Sequence, residues 1–226
     1  MKILNDNWLI FDDKMSLSKA LAQEILNIAK KSISEKNCFS IVLTGGQSVL
    51  NLYKILSKSD SNWEKWHIYI GDERCVPMGH KDRSDRVINK IWLNNSLIPK
   101  KNIYFIKAEL GLTRAQEEYE RILRKVNKFD VVLLSMGEDG HVASLFPGHV
   151  YPKNQKVIID NNSPKLPKQR VSMSYQQLNK AHYVFKLIIG ETKKKSVALL
   201  KQNANLPITK VTGKCEKLYV CKNAIY

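Results

Sequence analysis

A chain of 226 residues with 43% apolar side chains is long enough to bury a full core, and α/β domains of this size are common. Its formal net charge of +16 admits a nucleic-acid partner, an acidic small substrate, or a basic drift spread over the surface. Nucleic acid is set aside, because the lysines are scattered, aromatics are not interleaved with them, and no nucleic-acid motif is visible.

The start, Met1 to Met15, contains Asp6, Asp12 and Asp13 and no long apolar segment, so neither a secretion signal nor a membrane span is expected there. The cytoplasm is the expected compartment. Leu17, Ala20, Leu21, Ile25, Ile28 and Ala29 share one face at helical spacing, which predicts a helix over 17–34 with Ser16 as its cap. Cys38 to Leu43 reads as a buried strand running into Thr44-Gly45-Gly46-Gln47-Ser48, with the helical pattern Val49, Leu52, Tyr53, Leu56 behind it. Strand, glycine turn and helix start together make a cradle of backbone amides for a phosphate or carbonyl oxygen, although such turns also occur merely to reverse the chain.

Trp66 to Ile70 is bulky and β-branched, hence a strand, and it ends in Gly71-Asp72-Glu73-Arg74. Charges at a strand's carboxyl end are placed for a crevice, with a solvated ion-pair corner as the alternative. A helix is predicted from Asp85 to Leu93, which Ser84 would cap, and a short strand over Ile103 to Ile106. Thr113-Arg114-Ala115-Gln116 has capping-box spacing, and Ala115, Tyr119, Ile122, Leu123 and Val126 form one helical face.

Asp130-Val131-Val132-Leu133-Leu134 has no room for alternation and reads as a strand covered on both faces, the mark of a parallel sheet. It runs into Gly137-Glu138-Asp139-Gly140-His141, so Asp139 and His141 are delivered just past a strand's carboxyl end, where open α/β sheets place their ligands. A helical turn from Val142 to Phe146 is predicted to follow and to end before Pro147-Gly148, leaving His141 near free backbone amides. Beyond Gly148 the chain is polar and irregular through Lys168, with a short strand at Val157 to Ile159. Strands at Arg170 to Ser174 and Tyr183 to Ile189 follow, then Gly190-Glu191-Thr192-Lys193 opening a helix behind which Val197, Leu199 and Leu200 lie, and a last strand at Lys217 to Cys221. Lys193-Lys194-Lys195 reads as a solvated helix face. Cys38, Cys75, Cys215 and Cys221 match no zinc or redox spacing, and buried thiols are expected. No His, Cys or carboxylate cluster has metal-ligand spacing, so no metal is expected. Alternating strands and helices, with each candidate polar residue at a strand's carboxyl end, predict one α/β domain over 1–226 with a mostly parallel sheet between helical layers.

The run Gly137 to Gly148, with its unbroken His141-Val142-Ala143-Ser144-Leu145-Phe146-Pro147-Gly148 string, resembles the signature of the 6-phosphogluconolactonase family. Gly71-Asp72-Glu73-Arg74 with Val76-Pro77 resembles a second piece of that pattern, and Thr44-Gly45-Gly46, Arg170-Val171-Ser172 and Gly190 to Lys193 resemble weaker ones. Departures fall at Ser48-Val49, where the family has Thr-Pro, and at Arg83-Ser84, where it has Ser-Asn. The resemblance implies a three-layer, Rossmann-like α/β/α fold and hydrolysis of a sugar-phosphate lactone without metal or organic cofactor. His141 would be the general base and Asp139 its orienting partner. Gly45, Gly46, Gln47, Asp72 and Arg74 would form the substrate site, and Arg170 and Lys193 would grip the phosphate. A monomer is expected, with no membrane or nucleic-acid partner. No G-x-S-x-G nucleophile elbow is present, which argues against an acyl-enzyme. The related glucosamine-6-phosphate isomerases carry a glutamate five residues after the histidine, where this chain has Phe146. A binding module without catalysis is the reading that charge alone would allow.

Overall fold

The structure, a computed structural model, describes residues 7–226; the expectation for the first six residues lies outside that range. In chain order the elements are β1 (Trp8–Phe11), α1 (Lys14–Lys36), β2 (Phe39–Leu43), α2 (Leu50–Leu56), β3 (Trp66–Ile70), β4 (Asp72–Arg74), α3 (Ser84–Ile91), β5 (Ile103–Tyr104), α4 (Leu112–Leu123), β6 (Phe129–Ser135), β7 (Val157–Asp160), β8 (Arg170–Met173), α5 (Tyr175–Leu178), β9 (Ala181–Ile188), α6 (Lys194–Lys201) and β10 (Cys215–Cys221). Seven strands form one parallel sheet in the order β1-β10-β9-β6-β2-β3-β5. Strand β6 lies at its centre, and six of its seven residues are buried, as a strand covered on both faces must be. From β2 the chain moves one way to β3 and β5, and from β6 the other way to β9 and β10. The sheet's switch point therefore falls between β2 and β6, where open α/β sheets bind ligands.

A second sheet was not predicted. Strands β4, β8 and β7 form an antiparallel ribbon, with Asp72 opposite Ser172 and Arg74 opposite Arg170. Gly71 joins the two sheets: its N–H donates to the Leu43 carbonyl at the end of β2 (2.9 Å), while its carbonyl accepts from Met173 N–H of β8 (2.8 Å). The residues read as a charged strand end are thus a short strand of another sheet.

Several local expectations are corrected. Helix α1 starts three residues earlier than predicted because Asp13, not Ser16, caps it, accepting from the amides of Met15 (2.6 Å) and Ser16 (2.8 Å). Ser84 does not cap α3; the amides of Ser84 and Asp85 both donate to the buried Glu73 carboxylate at 2.9 Å. The capping box at Thr113 does not form, since α4 begins from Gly111, and Gln116 instead donates to the Val157 carbonyl (2.7 Å). The helical turn after His141 is absent. Ala143 adopts a left-handed conformation (φ 49°), and Leu145 N–H returns to the Val142 carbonyl (3.0 Å), closing a tight turn. Of the four thiols only Cys221 is buried; Cys38 and Cys75 are half-buried and Cys215 is exposed.

Two buried tyrosines pin the strand ends that lead into the site. Tyr53 accepts from the Thr44 amide (3.2 Å) and donates to its carbonyl (2.7 Å); Tyr119 does the same for Ile70, at 2.9 and 2.8 Å. Strands β2 and β3 thus end without orphaned backbone groups although ladder pairing stops there. Replacing either tyrosine with phenylalanine leaves a buried amide and carbonyl unpaired. Each change should cost about 1–3 kcal/mol in a denaturant titration, and a loss within experimental error would show that water takes over the hydroxyl's bonds.

Candidate functional site

The carboxyl ends of β2, β3, β6 and β9 open into a cleft of about 390 Å3. Thr44 to Ser48 come from the turn after β2, Asp72 and Arg74 from β4, and Ser135, Met136, Gly137, His141 and Ala143 from the segment after β6. Ile189, Thr192 and Lys193 come from the turn after β9, with Ser84 and Lys165 reaching in from loops. A cavity of similar size, about 380 Å3, surrounds Lys186 and Glu216 and shares none of these residues.

His141 is held from three sides. Its Nδ1 pairs with Asp139 Oδ1, and its amide donates to the same oxygen at 3.2 Å. Its ring packs against Phe146 with centroids 4.8 Å apart. On the third side lies Gly137, where an added Cβ would come within 2.1 Å of the imidazole, so the residue after Met136 must lack a side chain. The loop closes on itself through Gly137 N–H to the His141 carbonyl (2.8 Å) and Gly140 N–H to the Gly137 carbonyl (3.1 Å). Burial pushes the Asp139 carboxyl up, but its bonds and charge interaction with His141 outweigh that and bring it down to about 2. The carboxylate therefore stays ionised over the working range and fixes the proton of a neutral imidazole on Nδ1. Nε2, the other ring nitrogen, has no protein partner among the described residues and can take up a proton.

The glycine turn is shaped by a contact that sequence reading missed. A Cβ on Gly45 would fall 2.2 Å from Ser84 Oγ, and Gly46 is left-handed (φ 97°), which favours glycine. Gln47 and Ser48 line the cleft, and the Gln47 carbonyl accepts from the Lys14 ammonium. Asp72 is buried and accepts from Ser144 Oγ at 2.6 Å, tying β4 to the turn after His141. Glu73 is fully buried and collects three backbone amides, those of Arg74, Ser84 and Asp85, each at 2.9 Å. Burial nevertheless pushes its carboxyl up to about 7. Arg74 gives Nη1 to the Asp82 carbonyl, and its buried Nε has no partner among the described residues.

The basic residues separate into two kinds. Lys193 lines the cleft, where burial lowers its pKa and the nearby Lys165 adds to the effect, against Glu138 and Asp139. Arg170 does not line it. The residue is buried, and its Nε donates to the carbonyl of Pro167 (2.7 Å) and its Nη2 to those of Lys165 (3.2 Å) and Leu166 (3.2 Å), so much of the guanidinium is turned to backbone. Arg83, which departs from the resembling pattern, is likewise buried and forks onto Asp85 (2.5 Å) and Glu109 (2.9 Å). Lys165 stands at the cleft instead, paired with Glu138 at 2.6 Å. Among the described residues no three His, Cys, Asp or Glu side chains converge as they would on a metal ion.

Residues 12–220 match the family model described as glucosamine-6-phosphate isomerases/6-phosphogluconolactonase. The chain belongs to this family. It is 34% identical over 204 residues to a probable chloroplastic 6-phosphogluconolactonase 4 of Oryza sativa subsp. indica, covering 82% of this chain but only 63% of that protein's length. The crystal structure of 6-phosphogluconolactonase from Thermotoga maritima superposes with a TM-score of 0.88 at 29% identity, over 95% of this chain and 98% of that one. A monomeric glucosamine-6-phosphate deaminase superposes with a TM-score of 0.84 at 17% identity, over 96% and 98% of the two chains, so both branches of the family share the fold. The residues in the cleft must separate the branches.

The geometry around Gly137 makes a direct prediction. Its backbone is not in the left-handed region, so Gly137→Ala should fold, but the added methyl must displace the imidazole from Asp139. The Asp139 carboxyl, followed by NMR titration, should then rise from about 2 toward the ordinary aspartate value, ~3.9. An unchanged titration would mean that the ring keeps its partner by another route.

Proposed function

We propose that the cleft hydrolyses 6-phospho-D-glucono-1,5-lactone to 6-phospho-D-gluconate, the second step of the oxidative pentose phosphate route. The observation that carries this reading is the Asp139–His141 pair at the sheet's switch point, with the second ring nitrogen unpartnered among cleft residues. A volume of about 390 Å3 suits a small polar substrate, within the range of roughly 300–1,000 Å3 for such clefts. Arg74, Lys165 and Lys193 on its walls suit an anionic one.

In the proposed mechanism Nε2 of His141 takes a proton from water as the oxygen adds to the lactone carbonyl carbon. Asp139 holds Nδ1–H and stabilises the imidazolium that forms. The carbonyl oxygen becomes an oxyanion, for which the amides of the Gly45-Gly46 turn are the available donors. Collapse breaks the bond to the ring oxygen, which receives the proton from His141, leaving the open-chain acid and a neutral histidine.

Deamination of glucosamine 6-phosphate is the second reading within the family, and Phe146 speaks against it. Where the isomerases carry a carboxylate, this chain has a buried ring packed on the imidazole, which can neither donate nor accept a proton. No described helix is long and apolar enough to cross a membrane. We place the reaction in the cytoplasm, where the four unpaired thiols fit a reducing environment, and assign it to a single chain.

His141→Asn tests the mechanism. The variant should fold and bind 6-phosphogluconate with nearly the parent affinity, yet lose about 10²–10⁴ in kcat in a lactone-disappearance assay corrected for spontaneous hydrolysis. A loss below about threefold per folded molecule, far short of that range, would remove His141 from the role of base. The pH profile is a second check. Asp139 titrates at about 2, so an acid limb of kcat/KM confined to that region would transfer the role to Asp139.

A further inference from the structure

The loop between β7 and β8, which sequence reading leaves as polar and irregular, is held by buried groups. Ser163, 1% exposed, donates its amide to the Lys168 carbonyl (3.1 Å) and its hydroxyl to the Lys165 carbonyl (3.0 Å). Arg170, 4% exposed, spreads its guanidinium over the carbonyls of Lys165, Leu166 and Pro167. Burying a cation is costly, and the bonds to three successive carbonyls that offset the cost also fix the shape of this segment. Lys165 is the residue of this segment that lines the cleft, and its ammonium lies 2.6 Å from Glu138.

Glu138 immediately precedes Asp139, and its backbone is anchored by Ser196 Oγ, which donates to its carbonyl at 2.6 Å. Its side chain is more than half exposed, so the carboxylate can turn back into water without cost to the fold. Exposed ion pairs of this kind contribute little, whereas a phosphate offers an ammonium two charges and several acceptor oxygens. Lys193, on the same cleft, has no carboxylate within ion-pair distance among the described residues.

Resting on the sugar-phosphate reading above, we propose that Lys165 is a ligand of the substrate's phosphate and that Glu138 is its resting partner. Phosphate binding exchanges one anion for another on the same ammonium, and Arg170 is a positioning residue that acts through Lys165. Glu138 is then an internal competitor. With Lys165 in place it is neutralised or displaced; without Lys165 it remains as an uncompensated negative charge beside the phosphate subsite.

Calorimetry of 6-phosphogluconate binding to the full chain tests the exchange, because the two partners have opposite signs. Lys165→Ala should weaken binding roughly 10- to 100-fold, the worth of a charge-assisted hydrogen bond. Glu138→Gln should tighten it about two- to fivefold, the scale of an exposed ion pair. The double variant should bind better than Lys165→Ala alone. Arg170→Gln should raise KM for the phosphorylated lactone with little change in kcat, and should add almost nothing to Lys165→Ala, since both act at one point. A merely structural Arg170 would lower thermal stability and leave the KM of the folded fraction unmoved. Weaker binding by Glu138→Gln would overturn the exchange, and parent-like affinity in Lys165→Ala would overturn the ligand assignment. Failure of the parent chain itself to bind 6-phosphogluconate would sink the sugar-phosphate reading and this proposal with it.

Discussion

The imidazole of His141 occupies space that a side chain at position 137 would need, and the cleft depends on that close approach. Because Gly137 is bare, the ring can fold back over the end of β6 and meet Asp139, two residues earlier in the chain. The same turn presents Gly140 to Leu206, which a Cβ there would approach within 2.8 Å, so the loop is clamped from outside as well. Two glycines thus let a five-residue loop seat the histidine against Asp139 and hold that carboxyl well below its usual range.

Buried charge supports this loop from a distance. Glu73 gathers the first amides of α3, and Asp72 receives the hydroxyl of Ser144, so the two acidic residues of β4 fasten a helix and the turn after His141. Arg83 and Arg170 are spent in the same way, one on carboxylates and one on carbonyls. Each group is expensive to remove from water, and the hydrogen bonds it makes to these elements offset part of that cost.

Much of the fold was legible because its signals are local. An apolar run such as Val131 to Leu134 reads as a strand covered on both faces, and the spacing of Leu17, Leu21, Ile25 and Ile28 reads as one helical face. What could not be read depends on distant partners. Strand β4 is Asp-Glu-Arg, with no apolar alternation, and exists because Arg170 to Ser172 lie alongside it a hundred positions later. The turn at Ala143 has no propensity signature, since alanine favours helix and takes a left-handed conformation here in a turn whose Ser144 hydroxyl bonds to Asp72. For the candidate site, the strand-end residues were placed by sequence, but an arginine that touches substrate and one that braces a loop look alike in one dimension. Arg170 and Lys165 therefore could be told apart only once the carbonyls around the guanidinium were located.

Gly71 carries a mechanical consequence. A single residue that gives its N–H to one sheet and its carbonyl to another rivets the two together without a linker between them. The parallel sheet supplies His141 and the glycine turn, while the ribbon supplies Asp72 and Arg74, so the cleft spans that rivet. Opening and closing by a swing of one sheet against the other would tear the bonds at Gly71. The two walls that meet at Gly71 are thereby held in one relative placement, which lowers the ordering cost of binding between them.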